Sequence, residues 1–126
     1  MVDFERTIPH KVLPVEQKRG TLIVTPVGDA VSFRETDVQR EITTLHALVS
    51  DPGVHNLVVD LGSADYFGSI VIGAINSLGL KARDDGGRIA LCNASDEMLD
   101  ILRVMNLDNI WFNFESRKAA LKAMES

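Results

Sequence analysis

The stretch from Asn56 to Ala82, NLVVDLGSADYFGSIVIGAINSLGLKA, decides the fold. It opens on Leu57-Val58-Val59-Asp60-Leu61, a short, apolar, β-branched run that suits a strand buried on both faces. A small polar turn follows, and Ser69 then opens a run with apolar residues at Val71, Ala74, Ile75, Leu78 and Ala82, which is helical spacing. A buried strand delivering the chain directly into an amphipathic helix is the repeating unit of an α/β domain. Function is expected at the serine that joins the two.

Working outward, the upstream chain supplies further elements of the same kind. Thr21-Leu22-Ile23-Val24-Thr25 is β-branched enough for a strand, ended by Pro26 and Gly28-Asp29. Before it, Lys11 to Glu16 reads as an edge strand, because Pro14 has no amide to donate to a central ladder. Gln17-Lys18-Arg19-Gly20 reads as the hairpin turn between them, with Gly20 free to adopt a positive φ. Residues 1–10 show no period and are expected to form a flexible N-terminal segment. Glu35-Thr36-Asp37 places acidic groups at a helix start, and Val38, Ile42, Leu45 and Val49 continue the helix as a stripe. Asp51-Pro52-Gly53 stops it.

Downstream, the serine helix ends at Asp84-Asp85-Gly86-Gly87, and Arg88 to Asn93 is another apolar strand. Ser95 caps a helix whose Met98, Ile101, Leu102 and Met105 are expected to point inward. Ile110 to Phe114 reads as a last strand, with Trp111, Phe112 and Phe114 an aromatic cluster at the sheet edge. Glu115 to Met124 closes the chain as a helix with Ala120, Leu121 and Met124 on one side. The order β-β-α-β-α-β-α-β-α predicts one α/β domain over residues 11–126. Its sheet is expected to be mixed and mostly parallel, with about five strands, about four helices and an antiparallel hairpin at the start.

Composition agrees. The chain has 126 residues, 45% apolar and 25% charged, which is long enough to bury a core and typical of soluble globular proteins. A net charge of −5 argues against a nucleic-acid partner, which would call for a basic face. No apolar run is long enough to insert in a membrane, and the start MVDFERTIPHKV lacks a signal-peptide pattern. The single Cys92 excludes an internal disulfide and fits a reducing compartment, so a cytoplasmic location is expected.

Catalytic patterns are missing. There is no phosphate loop, and Gly68, Gly73 and Gly79 lack dinucleotide-binding spacing. His10, His46 and His55 are not spaced as metal ligands and have one cysteine for company, so neither metal nor cofactor is expected. Gly68-Ser69-Ile70-Val71-Ile72 lacks the second glycine of a nucleophile elbow, and no histidine follows Ser69 to serve as its base. A serine hydrolase is therefore the weakest of three readings. Cys92 reads as a small core residue. Ser69 reads either as a helix cap or as a phosphoacceptor, since a phosphate would sit against the positive end of the helix.

From Thr21 onward the chain resembles the STAS domain, the sulfate transporter and anti-sigma factor antagonist family. The resemblance rests on Val58-Val59-Asp60-Leu61, Tyr66 to Gly73, Gly86-Gly87-Arg88 to Asn93, and Met105 to Asn109. In the family, a serine following an aspartate opens the helix and is phosphorylated; the register places it on Ser69, with Gly73 on the last motif glycine. Gly68 stands in place of the aspartate, Ile70 in place of the second hydroxyl residue and Val71 in place of the first glycine. The resemblance implies a non-enzymatic regulator that binds an anti-sigma factor or serine kinase-type protein. Its contact surface is expected at Asp65, Tyr66, Phe67, Gly68, Ser69, Ile70, Ile72 and Gly73, with Asp29, Ser32 and Phe33 from the neighbouring loop. The remaining reading is a structural STAS subunit, in a signalling scaffold or beside a lipid-transport ATPase. Both binding readings leave room for oligomers.

Overall fold

The computed structural model describes residues 5–8, 12–27, 35–63, 69–107 and 111–125. Its strands are β1 (Glu5–Ile8), β2 (Val15–Lys18), β3 (Thr21–Val24), β4 (Asn56–Asp60), β5 (Arg88–Cys92) and β6 (Phe112–Phe114). Its helices are α1 (Glu35–Val49), α2 (Ser69–Asp84), α3 (Asp96–Val104) and α4 (Arg117–Glu125). The strands lie side by side in chain order. β1, β2 and β3 pair antiparallel, and β3 through β6 pair parallel.

Chain order and sheet order coincide, so every parallel crossover advances in the same direction. A right-handed hand then puts all the connecting helices on one face. Leu22, Val24, Leu57, Val59, Ile89 and Leu91 point to that face and pack with Val38, Leu45, Ile75, Leu78, Met98 and Leu102 of α1, α2 and α3. The alternate residues Val58, Ala90 and Cys92 point to the other face, where among the described residues α4 covers them with Ala120 and Met124, and Phe114 and Leu121 pack beside them. Period-two alternation within a both-sides-buried strand is what divides the core.

The mixed sheet with four helices is as the sequence predicts, with one more strand than expected. β1 lies in the segment expected to be flexible: Glu5-Arg6-Thr7-Ile8 carries no apolar period, and its ladder with β2 is made by backbone groups. β1 also takes the edge position predicted for the segment around Pro14. Pro14 stands just ahead of β2, where its missing amide is not needed, and its carbonyl accepts the Thr25 N–H at 2.9 Å.

Three local expectations are corrected. In the β2–β3 turn the positive φ falls on Arg19, at 55°, while Gly20 gives close passage to the His55 ring, 2.9 Å from where a Cβ would stand. Met105 caps the end of α3 and is exposed, because the helix has already ended at Val104. Of the aromatic cluster, Trp111 is buried but Phe112 is 63% exposed: Trp111 lies just ahead of β6 and its indole packs against α2, while Phe112 begins the strand on its open side.

Two contacts set the helix positions. The buried Glu41 of α1 accepts hydrogen bonds from the Val12 and Leu13 N–H groups at 3.0 and 2.8 Å, fastening the chain ahead of β2 to α1. On α2, a Cβ at Gly79 would stand 2.3 Å from Cζ2 of Trp111, so only glycine lets the indole lie against the helix. Ser95 caps α3 as predicted, its hydroxyl accepting the Met98 N–H at 3.2 Å.

Candidate functional site

The parallel strands β3 and β4 are direct neighbours, with Val24 opposite Val59. The chain leaves their C-terminal ends in two segments, one leading to α1 and the other to α2. Open α/β sheets present their functional surfaces at this rim. Asp29, Ser32, Phe33, Asp65, Tyr66, Phe67 and Gly68 belong to these two segments and lie outside the described residues. Ser69 and Ile70 form the start of α2, as the helical spacing predicts.

Gly73 is exposed one turn further on, with no described residue within 4 Å of where its Cβ would be. Ile72 departs from expectation. It is only 4% exposed, because it falls on the same helix face as Ile75 and joins the core beneath the rim. The first turn of α2 holds no acidic side chain, so the positive end of the helix is not answered from within that turn.

Beneath the rim lies a polar cluster that sequence reading did not single out. Asp60 ends β4 on the α4 side of the sheet and is 7% exposed. Its Oδ1 accepts hydrogen bonds from the Gly62 N–H at 2.9 Å and from Asn93 Nδ2 at 3.0 Å. Its Oδ2 accepts Nε of Arg117 at 2.8 Å, an ion pair between α4 and the sheet. The same guanidinium donates to Thr25 Oγ1 at 2.8 Å and to Glu16 Oε2 at 3.1 Å. Burial pushes the Asp60 carboxyl up. The hydrogen bonds from Asn93, Gly62 and Arg117, with the Arg117 charge, outweigh burial and hold it below the ordinary value of 3.8.

The asparagine in this cluster has an additional backbone mark. Asn93 takes a φ of 58°, a left-handed conformation that asparagine tolerates better than most residues. This turn directs its side chain back to Asp60. A polar residue just past an apolar strand was the available signal, but the sequence does not give the partner.

The histidines and the cysteine serve elsewhere. His55 precedes β4, at the opposite end of that strand from Ser69, roughly 16 Å away by strand length alone. His46 Nε2 lies 3.1 Å from Ser77 Oγ, on the α1–α2 contact. Ser77 is about 12 Å along the helix from Ser69. Cys92 is buried under α4; burial, then the Asp60 charge, push its thiol up to about 11, partly countered by Arg117. It is a core residue, as expected. Among the described residues, no group of His, Cys, Asp and Glu could hold a metal ion.

Between α2, α3 and the sheet there is a hollow of about 10 Å³, lined by Leu61, Ile72, Ile75, Asn76, Leu91, Met98, Leu102, Leu107 and Trp111. That is room for about one water molecule. Asn76 Oδ1 is buried at this position without a hydrogen-bond partner. No described helix is long and apolar enough to cross a membrane.

Comparison with known proteins places this architecture. No curated protein matches the sequence. An anti-sigma-factor antagonist (STAS) domain protein from Planctomyces limnophilus is 26% identical, with a TM-score of 0.74 over 90% of this chain and 98% of that one. The anti-sigma factor antagonist SpoIIAA in its unphosphorylated form superposes with a TM-score of 0.75 at 13% identity, over 90% of this chain and 96% of that one. The Bacillus cell fate determinant SpoIIAA in the phosphorylated form gives 0.71 at 14% identity, over 89% and 98%. At these lower identities the likeness is one of fold. The sequence pattern of the STAS domain matches residues 13–120, most of the chain, and this protein belongs to the STAS domain family.

Proposed function

We propose that this chain is a non-enzymatic regulator of the anti-sigma factor antagonist kind, acting in the cytoplasm on transcription and switched by phosphorylation of Ser69. The observation that carries the reading is the position of Ser69. It begins α2 at the C-terminal rim of the parallel sheet, in a chain of the STAS family whose solved relatives include an antagonist in both unphosphorylated and phosphorylated forms.

A phosphoserine adds about −1.5 to −2 charge, and the positive end of α2 stabilises it. The fold is left intact, while a partner docked over the same spot meets a new charge. The contact surface runs from Asp65 to Gly73, without the buried Ile72, together with Asp29, Ser32 and Phe33. Gly73 suits such a surface because its bare backbone lets another chain approach closely. The partner is an anti-sigma factor or serine kinase-type protein.

The test is incubation with ATP and the serine kinase of anti-sigma type encoded closest to this gene, read by peptide mass spectrometry, with binding of a Ser69→Asp variant to the same kinase. Modification at Ser69 and loss of binding by the variant are expected. An unmodified Ser69 together with undiminished binding by the variant overturns the switch. A large homomeric particle by native mass would instead favour the scaffold role.

A further inference from the structure

Arg117 uses all three of its guanidinium nitrogens on the sheet, and the groups it reaches are not scattered. Thr25 is the first residue beyond β3, and Asp60 is the last residue of β4. These are the points where the two rim segments depart. Through Asp60 the connection continues to the Gly62 N–H, already inside the segment that leads to α2. It also continues to Asn93, just past β5. The third contact, Glu16 on β2, is not part of either segment. One side chain on α4 thus joins the exits of adjacent strands.

The apolar hold of α4 is the contact of Ala120, Leu121 and Met124 with the back of the sheet. Ala120 and Met124 are its buried side chains among the described residues, facing Val58, Ala90 and Cys92. The guanidinium fork supplies direction that this small contact does not. A lysine ammonium would keep the charge but lacks the planar fork that reaches three acceptors at once.

We propose that Arg117 is a positioning residue for the rim. It sets the two strand exits, so the docking of α4 is coupled to the backbone at Thr25 to Val27 and at Leu61 and Gly62, where the chain enters the rim segments. That the rim is a contact surface rests on the function proposed above; the clamp itself does not. Asp60, Thr25 and Asn93 carry its action to the backbone, and Glu16 steadies the guanidinium.

Amide hydrogen exchange on the full chain tests this, comparing wild type with Arg117→Gln, Arg117→Lys, Thr25→Val and Glu16→Gln. Thr25 and Val27 donate to Pro14 and Val12 carbonyls, and Gly62 donates to Asp60, so each strand exit has a protected reporter. Arg117→Gln is expected to speed exchange at both exits about tenfold more than at Ile89 to Leu91 in the core. Arg117→Lys should recover only part of the protection. Thr25→Val should loosen Thr25 to Val27 alone, and Glu16→Gln neither exit.

If Arg117→Gln speeds every segment by one factor, or leaves both exits unchanged, the clamp is refuted. Should Arg117→Gln fail to fold, the selectivity of Thr25→Val decides: a change confined to its own exit supports the clamp, and a uniform or absent change refutes it. The measurement needs no partner. Loosened exits with an unmodified Ser69 and undiminished binding by Ser69→Asp would leave the clamp standing while the phosphorylation switch fell.

Discussion

Gly73 and Gly79 lie in the same helix and should respond to alanine with opposite signs. Replacing an interior helical glycine by alanine gains about 1 kcal/mol when the site is open. Gly73 is such a site, with nothing within 4 Å of the added methyl, so Gly73→Ala should stabilise by about 1 kcal/mol. At Gly79 the methyl would stand 2.3 Å from Cζ2 and 2.8 Å from Cη2 of Trp111, which is rigid and 5% exposed. An overlap this close belongs at the upper end of the overpacking cost, about 2–3 kcal/mol, and after the helix gain of about 1 kcal/mol Gly79→Ala should destabilise by about 1–2 kcal/mol. Urea denaturation measures both, and at this chain length each kcal/mol moves the thermal midpoint by roughly 3–5 °C. The cause is isolated in a Trp111→Leu background, which lowers stability by itself but removes the obstacle. There Gly79→Ala should turn stabilising. A neutral or stabilising Gly79→Ala in the native background, or the same effect in both backgrounds, would refute the packing argument.

Two further outcomes are expected. Asp60 has a lowered folded pKa, so its contribution is fully present above the unfolded value near 3.8 and is lost as pH falls through the folded value. The stability advantage of the wild type over Asp60→Asn should hold from neutral pH to about 4 and shrink below it; denaturation curves showing a constant or growing difference under acid would contradict this. Asn76→Leu replaces a buried, unpartnered carbonyl oxygen with apolar volume beside a hollow, and should raise stability by about 1 kcal/mol. A loss in thermal midpoint would show that the amide is satisfied in solution.

The parts of this fold that sequence revealed are those held by local periodicity. The apolar run of β4, the stripe of α1 and the Ser95 cap each depend on residues a few positions apart. β1 was hidden because Glu5 to Ile8 pairs through its backbone and carries no apolar signature. Met105 continued the helical period on paper, but the α3 turn ends one residue earlier. The site divides in the same way. Ser69 is legible from its place between a strand and a helix, whereas the motif alone points Ile72 to the surface and its spacing to Ile75 puts it inside. The Arg117 cluster could not be read, because its partners lie 57, 92 and 101 residues away along the chain. Only the sheet brings them together.

Because strand order follows chain order, this sheet can be laid down during synthesis as a row that grows at one side. Three helices roof the front as each crossover is completed. Among the described residues the back is covered by α4, so Val58, Ala90 and Cys92 stay open to water until that helix is made. Arg117 arrives on that same late element. A nascent chain can therefore build its front layer before Arg117 is there to hold the ends of β3 and β4.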